Sequence, residues 1–67
     1  MKADLLNKAE SLIDKQVRIH TTLDDKFEGV LSSIKAKENV IYYFLSDLEG
    51  KKIGIPDTAI IDIEELH

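Results

Sequence analysis

The chain has no cysteine, no tryptophan, a single proline and three glycines among its 67 residues. Without cysteine, neither a disulfide framework nor a thiolate metal site can support the fold. A domain this short buries only about 60% of the surface its unfolded chain exposes. It therefore needs another source of stability, and with disulfides excluded oligomerisation is the favoured one. No apolar run approaches membrane-spanning length, and no N-terminal stretch has the form of a secretory signal, so a cytoplasmic location is expected. An excess of basic charge is missing as well, since the formal net charge is -4. That counts against tight, nonspecific duplex binding, where phosphate neutralisation supplies most of the affinity. Recognition of a few unstacked bases by a small local site stays open. Catalytic constellations are also lacking. His20 and His67 are far apart, Ser32-Ser33 have no recognisable base, and Gly50-Lys51-Lys52 is not a phosphate-binding loop. The expectation is a non-enzyme with no cofactor.

What is present is a folded-protein composition, 43% hydrophobic and 33% charged. Leu5, Leu6, Ala9, Leu12 and Ile13 recur at helical spacing, with Lys2, Asn7, Lys8, Glu10 and Ser11 facing elsewhere. This predicts a helix that Asp4 can cap and that ends near Asp14-Lys15. From Gln16 the period becomes two: Val17, Ile19 and Thr21 alternate with Arg18, His20 and Thr22. Leu23-Asp24-Asp25-Lys26 predicts a turn. A second strand then starts near Lys26 with Phe27, Gly29 and Leu31 on one face. Its parity slips through Ser32-Ser33, as at a bulge. Lys35 to Asn39 reads as a polar loop and Val40 to Asp47 as a third, strongly apolar strand. Leu48-Glu49-Gly50 turns the chain into a fourth strand, Lys51 to Ile55. Pro56-Asp57-Thr58 interrupts it before a fifth, Ile60 to Ile63, and residues 64–67 read as a frayed tail. One helix followed by five short strands predicts a mainly β fold, a strongly bent antiparallel small barrel. Apolar edge strands in such a barrel invite pairing with another copy of the chain.

The pattern Val17-x-Ile19, Phe27-x-Gly29-x-Leu31, Ile34 and Asn39, followed by Ile55-x-x-x-x-Ile60-x-x-Ile63, resembles the Sm-like family. The likeness runs from Gln16 to Leu66, with a preceding helix where the family has one. It implies one Sm-like domain over residues 1–67: a helix at 1–15, an SH3-type barrel at 16–63 and a tail at 64–67. It also implies a homo-oligomeric ring formed through edge strands, with single-stranded RNA as partner. Asn39 falls on the family's base-contacting asparagine. Other positions depart from the family. Its turn glycine is Asp24, its loop aspartate is Lys35, its base-stacking position is Lys37, and its Arg-Gly pair is Pro56-Asp57.

Asn39, Lys37 and Lys35 are therefore the candidate RNA-binding residues. The Asn39 amide carries both a donor and an acceptor, as reading a base edge requires. It also suits a residue that shapes the loop by bonding local backbone. The two lysines suit phosphates gathered round a pore, or ordinary solvated loop positions. Tyr42, Tyr43 and Phe44 read as core or interface packing ahead of base stacking. Arg18 reads as an isolated surface residue, and Asp24-Asp25 as a turn rather than a cation site. Asp57, Asp62, Glu64 and Glu65 predict an acidic surface near the last strand. Two further readings stand beside the RNA-binding ring: a ring scaffold or protein-interaction module without an RNA site, and a monomeric SH3-like barrel.

Overall fold

The computed structural model describes residues 3–66. Lys2 and His67, assigned above to the helix and the tail, lie outside them. Helix α1 spans Ala3–Glu10 and buries Leu5 and Ala9. Eight residues are too few for a stable isolated helix, so the docked apolar stripe holds it. It ends earlier than Asp14-Lys15. Beyond Glu10 the bonds tighten to i→i+3, with Leu12 N–H donating to Ala9 C=O at 2.9 Å and Lys15 N–H to Leu12 C=O at 3.0 Å. Asp14, at φ 71°, then reverses the chain. Asp4 sits inside the first turn rather than ahead of it as a cap. There its carboxylate meets the positive end of the helix dipole.

The strands are β1 (Gln16–Thr21), β2 (Lys26–Lys37), β3 (Val40–Ser46), β4 (Lys52–Pro56) and β5 (Ile60–Glu65). They form one antiparallel sheet in the order β4-β3-β2-β1-β5. The sheet is open, not the closed barrel expected from the sequence. Pro56 ends β4, and a 3₁₀ turn, Asp57–Ala59, carries the chain to β5. That turn is tied to the β1–β2 turn, where Thr22 N–H donates to Ala59 C=O at 2.9 Å. Nor is the C-terminal segment a frayed tail through residue 66. Glu64 and Glu65 lie in β5 opposite Arg18 and Val17, and Leu66 N–H donates to Gln16 C=O at 2.8 Å.

β2 is shared between two ladders. Lys26 to Val30 pair with β1, and Val30 to Lys37 pair with β3. The register shifts between Leu31 and Ser33, at the predicted bulge. Gly29 sits just before it, where a Cβ would collide with the backbone carbonyl of Ser46. At the β3–β4 turn, Gly50 N–H donates to Asp47 C=O at 3.0 Å and Asp47 N–H to Lys51 C=O at 2.9 Å. Gly50 takes φ 83°, completing a type I turn with a glycine bulge. The Asp47 carboxylate accepts the amides of Glu49 and Lys51, each at 2.9 Å.

One core joins everything. Leu5, Ala9 and Leu12 pack with Val17 and Ile19 of β1, Leu31 of β2, Tyr43 and Leu45 of β3, Ile55 of β4, and Ile60 and Ile63 of β5. Both ends of the sheet feed this cluster, so the sheet wraps it while its other face is left outward. Replacing Gly29 by alanine should destabilise the fold by about 1–3 kcal/mol, the usual cost of overpacking. Urea denaturation should show it as a lower midpoint at unchanged slope. A wild-type midpoint would mean that the close approach at Ser46 does not constrain the chain.

Candidate nucleic-acid interface

The β2–β3 ladder continues to the pair Lys37–Val40. Only Glu38 and Asn39 are left to turn the chain, at φ 53° and 68°. This is the two-residue turn with both central residues left-handed, which suits the twist of a hairpin. Lys35 to Lys37 are therefore strand, not the loop expected from their polarity. Cross-strand pairing with the apolar β3 overrides the local composition. Asn39 is exposed at the tip, and among the described residues its amide has no hydrogen-bond partner. Asparagine tolerates the left-handed conformation, which explains its presence there without any ligand.

The ladder also fixes faces. Lys35 lies opposite Tyr42, Ser33 opposite Phe44, and Lys37 opposite Val40. On β3, Tyr43 and Leu45 are buried, whereas Tyr42 and Phe44 are partly exposed on the other side. Their ring centroids stand 6.3 Å apart at an interplanar angle of 36°. On β4, Lys52, Gly54 and Pro56 lie opposite Ser46, Phe44 and Tyr42. Three exposed lysines, 35, 37 and 52, thus share a sheet face with two aromatic rings. Lys37, Glu38, Tyr42, Phe44 and Gly54 line a shallow cleft of about 370 Å³ on it. Sequence reasoning placed all three aromatics in the packing; only Tyr43 belongs wholly to the core. The run from Val40 to Leu45 is apolar throughout, so it is the ladder register that separates them.

The β1–β5 end of the sheet is different. Arg18, far from isolated, places Nε 2.7 Å from a Glu28 carboxylate oxygen and Nη1 3.4 Å from Glu64. His20 Nε2 lies 2.9 Å from the same Glu64 oxygen. Lys8 Nζ reaches Asp62 at 3.1 Å. The acidic surface predicted near the last strand is thus largely paired, and Asp57 is buried. The hydrogen bond to His20, followed by the charges of His20 and Arg18, holds the Glu64 carboxyl below its ordinary range. The hydrogen bond from Lys8 does the same for Asp62. In the core, burial and then the charges of Asp57 and Glu10 push the Tyr43 hydroxyl up.

Asp24 and Asp25 form a turn, with Thr21 N–H donating to Asp25 C=O at 3.0 Å. Among the described residues, no group of three or more His, Asp or Glu side chains is placed to hold a metal ion. No described helix is long and apolar enough to cross a membrane. No family model, curated protein or solved structure matches the chain.

A folded-state pKa below the unfolded value means that the Glu64 contribution to stability is present above the unfolded value. It is lost as pH falls through the lowered native value. In an NMR pH titration Glu64 should therefore titrate below the ordinary glutamate range, and His20→Ala should return it towards that range. An unchanged Glu64 titration in the variant would refute the pairing.

Proposed function

We propose that this chain is an Sm-like protein that assembles into a ring and binds short single-stranded RNA, with Asn39, Lys37 and Lys35 facing the bound strand. The observation that carries the reading is the β2–β3 hairpin, which brings these three exposed residues to one tip with, among the described residues, no competing partner for the Asn39 amide. Lysine ammonium groups suit phosphates, and the amide suits a base edge.

The sheet order supports the ring. β4 and β5 are the outer strands, so each lacks a neighbouring strand on one side. Pairing β4 of one copy with β5 of the next is a head-to-tail contact, which closes when the rotation per subunit divides a full turn. It completes around each core the wall that one chain leaves open. Ile61 on β5 and Leu23 in the adjoining turn are 62% and 81% exposed, apolar surface that a neighbouring copy would cover. Pro56 suits an outer strand, because it has no amide to offer a ladder.

The second reading, a ring scaffold or protein-interaction module without an RNA site, draws on Pro56-Asp57. The resemblance expects a basic RNA contact there, and this chain has a proline and a buried aspartate.

Light scattering and fluorescence anisotropy on one sample separate the readings. The expected outcome is a closed oligomer whose affinity for short oligonucleotides falls steeply with salt. Asn39→Gly, which preserves the left-handed turn while removing the amide, should weaken binding several-fold at unchanged mass. A ring that binds no oligonucleotide at low salt favours the scaffold. A monomer removes the Sm-like assignment.

A further inference from the structure

We infer that the outer face of β3 and β4 is a base-stacking platform for single-stranded nucleic acid, selective for purines, built from Tyr42 and Phe44 and flanked by Lys35, Lys37 and Lys52. It deepens the nucleic-acid reading above and presupposes it, adding stacked bases on the strands to the contact at the hairpin tip.

Tyr42 and Phe44 are two residues apart on one strand, so their rings lie side by side on the same face, with centroids 6.3 Å apart. Both remain partly exposed although aromatic rings gain most when buried. Phe44 is also held in place. A Cβ on Gly54 would come within 2.9 Å of Phe44 Cε1, so the glycine leaves room for the ring to lie against the β4 backbone. Tyr42 is flanked by Lys35 on one side and Pro56 on the other. Neutral π faces bordered by ammonium groups match the alternation of flat bases and anionic phosphates along an extended strand.

The cleft wall adds a hydrogen-bond acceptor. Glu38 lines it together with Lys37, Tyr42, Phe44 and Gly54. An ionised carboxylate only accepts hydrogen bonds. It can therefore accept from a base N–H group, those of uracil and cytosine included, and it repels phosphates and acidic peptides from that wall. Purines present the larger stacking surface. The platform should consequently prefer oligoadenosine to oligouridine.

The chain supplies its own optical probe. It has no tryptophan and two tyrosines, and Tyr43 is buried, so quenching of tyrosine emission by a ligand reports Tyr42. Fluorescein-labelled eight-nucleotide oligoadenosine and oligouridine would be titrated in low salt, with anisotropy and tyrosine emission read together. Oligoadenosine is expected to quench the emission and to bind about tenfold more tightly than oligouridine. Tyr42→Leu and Phe44→Leu should each weaken oligoadenosine binding roughly tenfold, within the range for losing one stacked base. Tyr42→Phe and Phe44→Tyr keep a ring and should bind as wild type, which separates stacking from loss of fold. Glu38→Gln should leave the preference over oligouridine in place, because stacking area sets it. Binding with unchanged emission and wild-type affinity in both leucine variants overturns the platform and leaves the RNA function standing. Equal displacement of oligoadenosine by oligoglutamate also overturns it, since charge alone would then suffice. If no oligonucleotide binds, the platform and the nucleic-acid reading fail together.

Discussion

At Gly29 the backbone of β2 comes so near the Ser46 carbonyl that no side-chain carbon fits between them. That contact sets where β2 leaves the β1 ladder and joins the β3 ladder, and the bulge between Leu31 and Ser33 follows immediately. One twelve-residue strand can thereby serve both halves of the sheet. Ile19 and Ile63 from one half and Leu45 and Ile55 from the other consequently meet in a single core under α1. Without the bend, the two halves would present separate apolar faces, each too small to hold an eight-residue helix.

The same bend divides the outer face by charge. On the β1–β5 side, Arg18, His20 and Lys8 are engaged with Glu28, Glu64 and Asp62. These pairs are solvent-exposed and contribute little to stability. Their consequence is that Arg18, His20 and Lys8 are occupied there. On the β2–β3–β4 side, Lys35, Lys37 and Lys52 stand among Tyr42, Phe44 and the small residues opposite them. A net charge of -4 is therefore compatible with a local site for an anionic strand. The sum of charges says nothing about their arrangement.

Much of the fold was legible in the residues. Period-two alternation located β1, the apolar run from Val40 located β3, the parity slip at Ser32-Ser33 located the bulge, and Gly50 marked its turn. The differences share a cause: strand pairing overrides local polarity. Lys35 to Lys37 look like a loop in isolation, yet β3 extends the ladder to Val40 and draws them into strand. Glu64 and Glu65 look like a tail, yet β1 supplies a partner. Barrel closure could not be read either, because it depends on where the 3₁₀ turn after Pro56 directs β5. Of the candidate site, Asn39, Lys35 and Lys37 are legible in the sequence, and the hairpin brings them together. Tyr42 and Phe44 were hidden inside the most apolar run, and only a fixed register shows which of its side chains face out.

The lysine–aromatic face of β2, β3 and β4 is the surface proposed to meet a single-stranded nucleic acid. The most direct measurement is a two-dimensional amide NMR titration of the protein with a short oligonucleotide. The amides of Lys35, Lys37, Tyr42, Phe44 and Lys52 should shift together and saturate, while those of Arg18, His20 and Asp62 stay in place. Shifts gathered on the β1–β5 face, or none at all, would rule out that contact.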